Sequence, residues 1–229
     1  MAFREIEQKL IEECTKDPLD LDKIQMLIDN GADINSCDGK FEYPLHCTIV
    51  DYYGRDRSEY ENPNLSNLAK VMALLIDNGM LLNPKPSEHR NFLLLVLQFL
   101  PPEEICIDTF KMLLEKGNPA SEDLDAALNT FLCNMHSEDD DYDFYSWNKP
   151  KKYTKKECLN YFLDMMYWVC AYKVKLYPEK CAEDLQEFDW FDREKHIVKL
   201  KRGRRTSQVF IEDKESRRSA VIYSYTDDN

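Results

Sequence analysis

The sequence predicts a mainly α fold, a solenoid of stacked helix pairs followed by a small C-terminal β-rich appendage. Three observations point to this class. A helix end recurs along the first half of the chain, apolar residues there return at three- and four-residue spacing, and short β-prone runs replace that period after residue 190. Composition agrees with it. Hydrophobic residues make up 43% and aromatic residues 12% of the 229, enough apolar surface for a continuous core. Only 6 Gly and 10 Pro are present, too few for the tight turns of a sandwich or barrel.

The first copy of the helix end is Leu27-Ile28-Asp29-Asn30-Gly31-Ala32-Asp33-Ile34-Asn35, and it returns as Leu75-Ile76-Asp77-Asn78-Gly79-Met80-Leu81-Leu82-Asn83. A shorter copy is Leu113-Leu114-Glu115-Lys116-Gly117-Asn118-Pro119. Each closes a helix with an apolar stripe: Ile24, Leu27 and Ile28, then Val71, Leu74 and Leu75, then Phe110, Leu113 and Leu114. In all three the Gly falls where the chain is expected to leave the helix in a left-handed conformation. Tyr43-Pro44-Leu45-His46 follows the first copy, with Pro44 suited to the first position of a new helix.

These segments resemble the ankyrin-repeat family, which pairs a Thr-Pro-Leu-His helix start with a Leu-Leu-x-x-Gly-Ala-Asp-x-Asn helix end. The resemblance covers roughly the first 135 residues. It implies a non-catalytic scaffold that binds protein partners, and for His46 a structural hydrogen bond. The sequence departs from the family at Tyr43, which stands where Thr is usual, and at Gly39, which lies closer to Gly31 than the pattern places it. Gly31 and Gly79 are 48 residues apart and Gly79 and Gly117 are 38 apart, against a family period of about 33, so the array carries insertions.

Taken in order, the predicted helix pairs are 2–14 with 21–30, 44–53 with 65–78, 91–100 with 104–116, and 121–135 with 155–173. Ser121 is the expected N-cap of its helix, with Glu122 and Asp123 at the positive end of the dipole. A short helix over 179–187 is expected to cap the stack. The solenoid thus spans 1–190, with insertions near 54–64 and 136–153, and the appendage spans 191–229. Within the appendage 197–200, 208–211 and 220–223 are the β-prone runs of a hairpin or meander.

Charge divides along the same boundary. From Arg193 onward ten Lys and Arg face six acids, a net of +4, and the preceding residues hold 20 basic against 37 acidic, a net of -17. An acidic body of this kind repels phosphate backbones, which argues against DNA binding by it, and favours encounter with a basic protein. The eight cysteines form no CxxC pair and read as reduced thiols of a cytoplasmic protein. No run is apolar for long enough to span a membrane.

No catalytic constellation, metal site or cofactor site is expected. His46, His89, His136 and His196 lie on different elements. Cys37, His46 and Cys47 lack a fourth zinc ligand at fitting spacing. Asp139, Asp141 and Asp143 imitate a calcium loop, but Phe144 stands where its Gly is required and Pro150 where its Glu is required. The candidate partner-binding residues are therefore those of the two insertions: Tyr52, Tyr53 and Tyr60 at the first, and Asp139, Asp140, Asp141, Tyr142, Phe144, Tyr145 and Trp147 at the second. Aromatic rings beside carboxylates suit burial in a partner together with steering toward a basic surface, and equally a loop whose Phe144 and Trp147 pack back on the fourth helix pair with its acids solvated. The expected function is a protein-interaction module, scaffold or adaptor. The second reading, which the resemblance also supports, is an immunity-type inhibitor covering a basic toxin such as a nuclease.

Overall fold

A computed structural model describes residues 4–37, 44–54, 64–82, 92–93, 96, 100, 103–136, 154–181, 196–202, 206–213 and 219–226. These are mainly helical and fall into two compact units, Met1–Pro119 with Asp143–Phe162, and Ala120–Tyr142 with Leu163–Asn229.

In the first unit, α1 (Glu5–Cys14) buries Glu7, Leu10, Ile11 and Cys14, a single stripe at helical spacing. Helix α2 (Leu21–Asp29) starts where the Asp20 carboxylate accepts the Lys23 N–H at 3.0 Å, a side-chain cap that satisfies one orphan donor. Helices α3 (Leu45–Gly54), α4 (Leu65–Asp77) and α5 (Glu104–Gly117) follow. α1 packs on α2 and α3, α3 packs on α4, and α4 packs on α2 and α5. Between α4 and α5, Phe92, Leu93 and Val96 are helical and fully buried.

The recurring helix end closes α2 and α4 with one backbone device. After α2, the Gly31 N–H bonds the Ile28 carbonyl at 2.9 Å and the Ala32 N–H bonds the Leu27 carbonyl at 3.1 Å. After α4, Gly79 bonds Ile76 and Met80 bonds Leu75, both at 2.9 Å. This is the paired bonding of a Schellman motif, and Gly31 and Gly79 adopt φ of +91° and +90° to make it. The third copy differs from expectation. Gly117 is the last residue of α5, and Asn118 takes the left-handed position at φ 44°. The reason is steric: a Cβ on Gly117 would lie 2.8 Å from the Leu82 side chain, so this glycine serves close packing, and Asn is among the residues that tolerate the left-handed turn.

In the second unit, α6 spans Ser121–His136 and α7 spans Lys155–Leu176, its residues from Leu163 onward belonging to this unit. Ser121 is not the N-cap. The Ala120 carbonyl accepts the first bonds, from Asp123 and Leu124, while the Asp123 carboxylate takes the Ala120 N–H at 3.2 Å. Lys173 is only 4% exposed and pairs with the Asp125 carboxylate of α6, which binds α7 to α6. After α7 comes a single 3-10 turn, Pro178–Lys180, where a longer helix was expected; residues 182–187 of that expectation lie outside the described residues.

Strands β1 (His196–Arg202), β2 (Thr206–Asp213) and β3 (Ser219–Thr226) form an antiparallel sheet in the order β1-β2-β3. Val209 and Ile211 of β2 are fully buried, while Gln208, Phe210 and Glu212 on the opposite face of the strand are half-buried. A bulge at Val209/Phe210 shifts the pairing with β3, and β3 packs on α6.

Replacing Gly31 by Val should destabilise the first unit by about 1–3 kcal/mol, because a β-branched residue is strained at that φ although the space is open. Asn118→Gly should leave stability unchanged or slightly raised. Urea denaturation of the two variants checks both, and equal midpoints would refute the left-handed cap at Gly31.

Candidate partner-binding surface

Turn-forming residues after α2 and α4 place two loops side by side. The Asn35 carboxamide bridges them: its Nδ2 donates to the Gly79 carbonyl at 3.1 Å, and its Oδ1 accepts the Leu81 N–H at 2.8 Å. At the turn after α2, Arg4 donates to the Gly31 carbonyl at 3.0 Å. Along the helix ends, Gln25 and Asn78 exchange amide hydrogen bonds of 3.1 and 2.9 Å, and Lys116 pairs with Asp77 at 2.7 Å. The surface so formed carries the exposed carboxylates of Asp29, Asp33 and Asp77.

Two apolar side chains stand out on this unit, Met26 at 51% and Leu81 at 55% exposure. The choice of insertions as the binding surface passed over both. A signal for Met26 was present: at 100° per residue it points away from Ile24, on the side of α2 shared with Asp22 and Asp29. Leu81 replaces the Asp33 of the first copy, a second visible anomaly.

The candidates from the first insertion separate. Tyr53 is 4% exposed, and its hydroxyl donates to the Cys14 carbonyl at 2.9 Å, satisfying an orphan acceptor at the end of α1. Burial pushes that hydroxyl well above the usual tyrosine range. Tyr53 therefore holds α3 to α1. Tyr52 stands edge-on to it, with centroids 5.3 Å apart, and keeps part of its ring at the surface. Tyr60, Asp139, Asp140, Asp141, Tyr142, Phe144, Tyr145 and Trp147 lie outside the described residues.

His46 is fully buried. Its Nε2 lies 2.9 Å from the Leu82 carbonyl, which only a protonated Nε2 can satisfy, and its ring meets Phe92 edge-on at 4.3 Å. Desolvation holds its pKa down at about 4, against the partial support of that carbonyl. The Cys37 thiol points to the Asn35 carbonyl at 3.9 Å, and Cys47 is buried. Burial raises the Cys14 thiol to about 12 and the Cys170 and Cys181 thiols also rise, which keeps all three protonated and poorly nucleophilic. Among the described residues no group of three His, Cys, Asp or Glu is placed to hold a metal, and no helix is long and apolar enough to cross a membrane. Compared with protein-family models, curated proteins and solved structures, the chain matches none.

The buried imidazole sets a pH dependence. His46 binds its proton more weakly folded than unfolded, so stability is complete above the ordinary histidine pKa of about 6.5 and falls as the pH drops toward 4, by up to about 1.4 kcal/mol per unit. His46→Gln should lower stability at pH 7 yet remove most of that slope between pH 6.5 and 4.5. Urea midpoints across this range test it, and an unchanged slope in the variant would assign the effect to other groups. Tyr53→Phe should cost about 1 kcal/mol by leaving the Cys14 carbonyl unpaired, read as a lower thermal midpoint.

Proposed function

We propose that the chain is a non-catalytic protein-interaction module, a divergent ankyrin-type array that recognises a folded, basic protein partner in a reducing, cytoplasmic setting. The carrying observation is the bridged pair of helix ends: Asn35 joins two copies of one turn, and Gln25 with Asn78 joins the helices that they close. Such bonding suits repeats stacked on their neighbours, the construction of solenoids whose exposed surfaces bind other proteins. His46, bonded to the backbone of the following loop, fits the structural part that the ankyrin resemblance implies for it.

Charge supports the choice of partner. The residues before Arg193 carry a net of -17, which accelerates encounter with a basic surface. Cys14, Cys37, Cys47, Cys106, Cys170 and Cys181 are held in no disulfide, in keeping with a reducing compartment. The aromatic residues of the second insertion, with Trp147 foremost, supply anchors, and Asp139, Asp140 and Asp141 supply steering. The same acidity supports the second reading, an immunity-type inhibitor of a basic toxin. An inhibitor abolishes its partner's activity at one-to-one stoichiometry, whereas an adaptor leaves it intact.

The partner is to be captured from the native cell on the purified full chain, identified, and its binding kinetics measured. Trp147→Ala should weaken affinity by roughly 2 kcal/mol or more with the melting midpoint unchanged. Replacing Asp139, Asp140 and Asp141 by Asn should slow association and flatten its salt dependence. A lower melting midpoint with unaltered affinity in Trp147→Ala would make that ring a packing residue and move the interface to the surface around Met26 and Leu81.

A further inference from the structure

The sheet of the second unit has two edges, β1 and β3. β3 packs on α6, and among the described residues β1 pairs with β2 alone. An edge strand offers a row of backbone N–H and C=O groups to any chain that can lie beside it. This edge runs His196-Ile197-Val198-Lys199-Leu200-Lys201-Arg202, with Lys and Arg and no acid, in a chain whose net charge is -13. Exposed Lys199 forms an ion pair with Glu212 of β2, its diagonal neighbour on the same face of the sheet.

Self-pairing is an unfavourable use of such an edge. Two copies of β1 aligned antiparallel about their centre would set Lys199 opposite Lys199, and like charges directly opposite destabilise a ladder. Nucleic acid has no peptide backbone to pair with the N–H and C=O groups of such an edge. A strand carrying Glu or Asp at alternate positions meets both conditions, supplying backbone partners and carboxylates together.

We propose that β1 is a docking edge for an extended acidic segment of a partner protein, which adds to the sheet as a fourth strand. This surface goes beyond the reading above, since it lies on a sheet edge instead of the insertions or helix ends and selects the opposite charge.

The probe is a seven-residue peptide alternating Glu and Val, blocked at both ends, titrated into the full chain and followed by amide hydrogen exchange. A second peptide of the same sequence, with every backbone amide N-methylated, keeps the charge and loses the ladder. The unmodified peptide should bind saturably and protect β1 amides but not those of β3, and the methylated one should bind about tenfold more weakly or worse. A Lys201→Glu, Arg202→Glu double variant with an unchanged melting midpoint should lose the unmodified peptide. If that variant does not fold, the two peptides on the natural chain decide the matter. Equal binding of both peptides would mean charge attraction without strand addition and overturn the proposal. Absence of saturable binding, protection away from β1, or tighter competing binding of an oligouridylate of matching charge would overturn it as well. So would a dimer of the free chain that already protects β1.

Discussion

The first unit depends on backbone that leaves α2 and α4 through a left-handed glycine. A positive φ at Gly31 and at Gly79 turns each chain back so that its last carbonyls are satisfied within the turn, while one further carbonyl faces outward. Those outward carbonyls, of Gly31 and Gly79, are the acceptors of Arg4 and Asn35. Both contacts are made to main-chain groups, so each requires a turn of fixed shape more than a particular apolar residue. Leu81, at 55% exposure, illustrates this: its side chain is free to vary because the contact to Asn35 is made by its N–H.

Buried carboxylates reinforce these contacts. Glu7 is only 1% exposed, and burial opposes its charge, yet the Arg4 guanidinium and the Asp33 N–H hold its pKa below the usual carboxylate range. One side chain therefore links α1 to the loop after α2. Glu13 is held down likewise, first by Lys16 and then by Lys23, which ties the end of α1 to the start of α2. Removing Arg4 would leave the desolvated Glu7 charge without its cation, which costs more than an exposed ion pair contributes.

Much of this was legible in the sequence because it depends on local chemistry. A glycine four residues after Leu27, repeated after Leu75, defines a helix end without knowledge of the rest of the chain. The three β-prone runs are likewise local, and each lies within a strand. Gly117 was misplaced because its reason is tertiary, the approach of the Leu82 side chain, and nothing in its neighbours announces that contact. Tyr53 was grouped with Tyr52 as surface for the same reason, since its partner, the Cys14 carbonyl, is 39 residues away. Ser121 matched a capping residue by type, but the helix begins one residue earlier than the pattern places it. Side-chain type foretold the devices better than it foretold which residue operates them.

The bulge between β2 and β3 fixes something that composition leaves open. On one side of it Gln208 and Val209 face Ser224 and Tyr223, and on the other Phe210 and Ile211 face Val221 and Ala220, so Ile222 is the extra residue. A plain hairpin can slip by two residues and still present the same face to the core. Here a slip would carry the extra residue against a regular pair and misalign the strand on both sides of the defect at once. The irregularity thus works as an index mark, selecting one alignment of β3 from the several that its alternating sequence would otherwise accept.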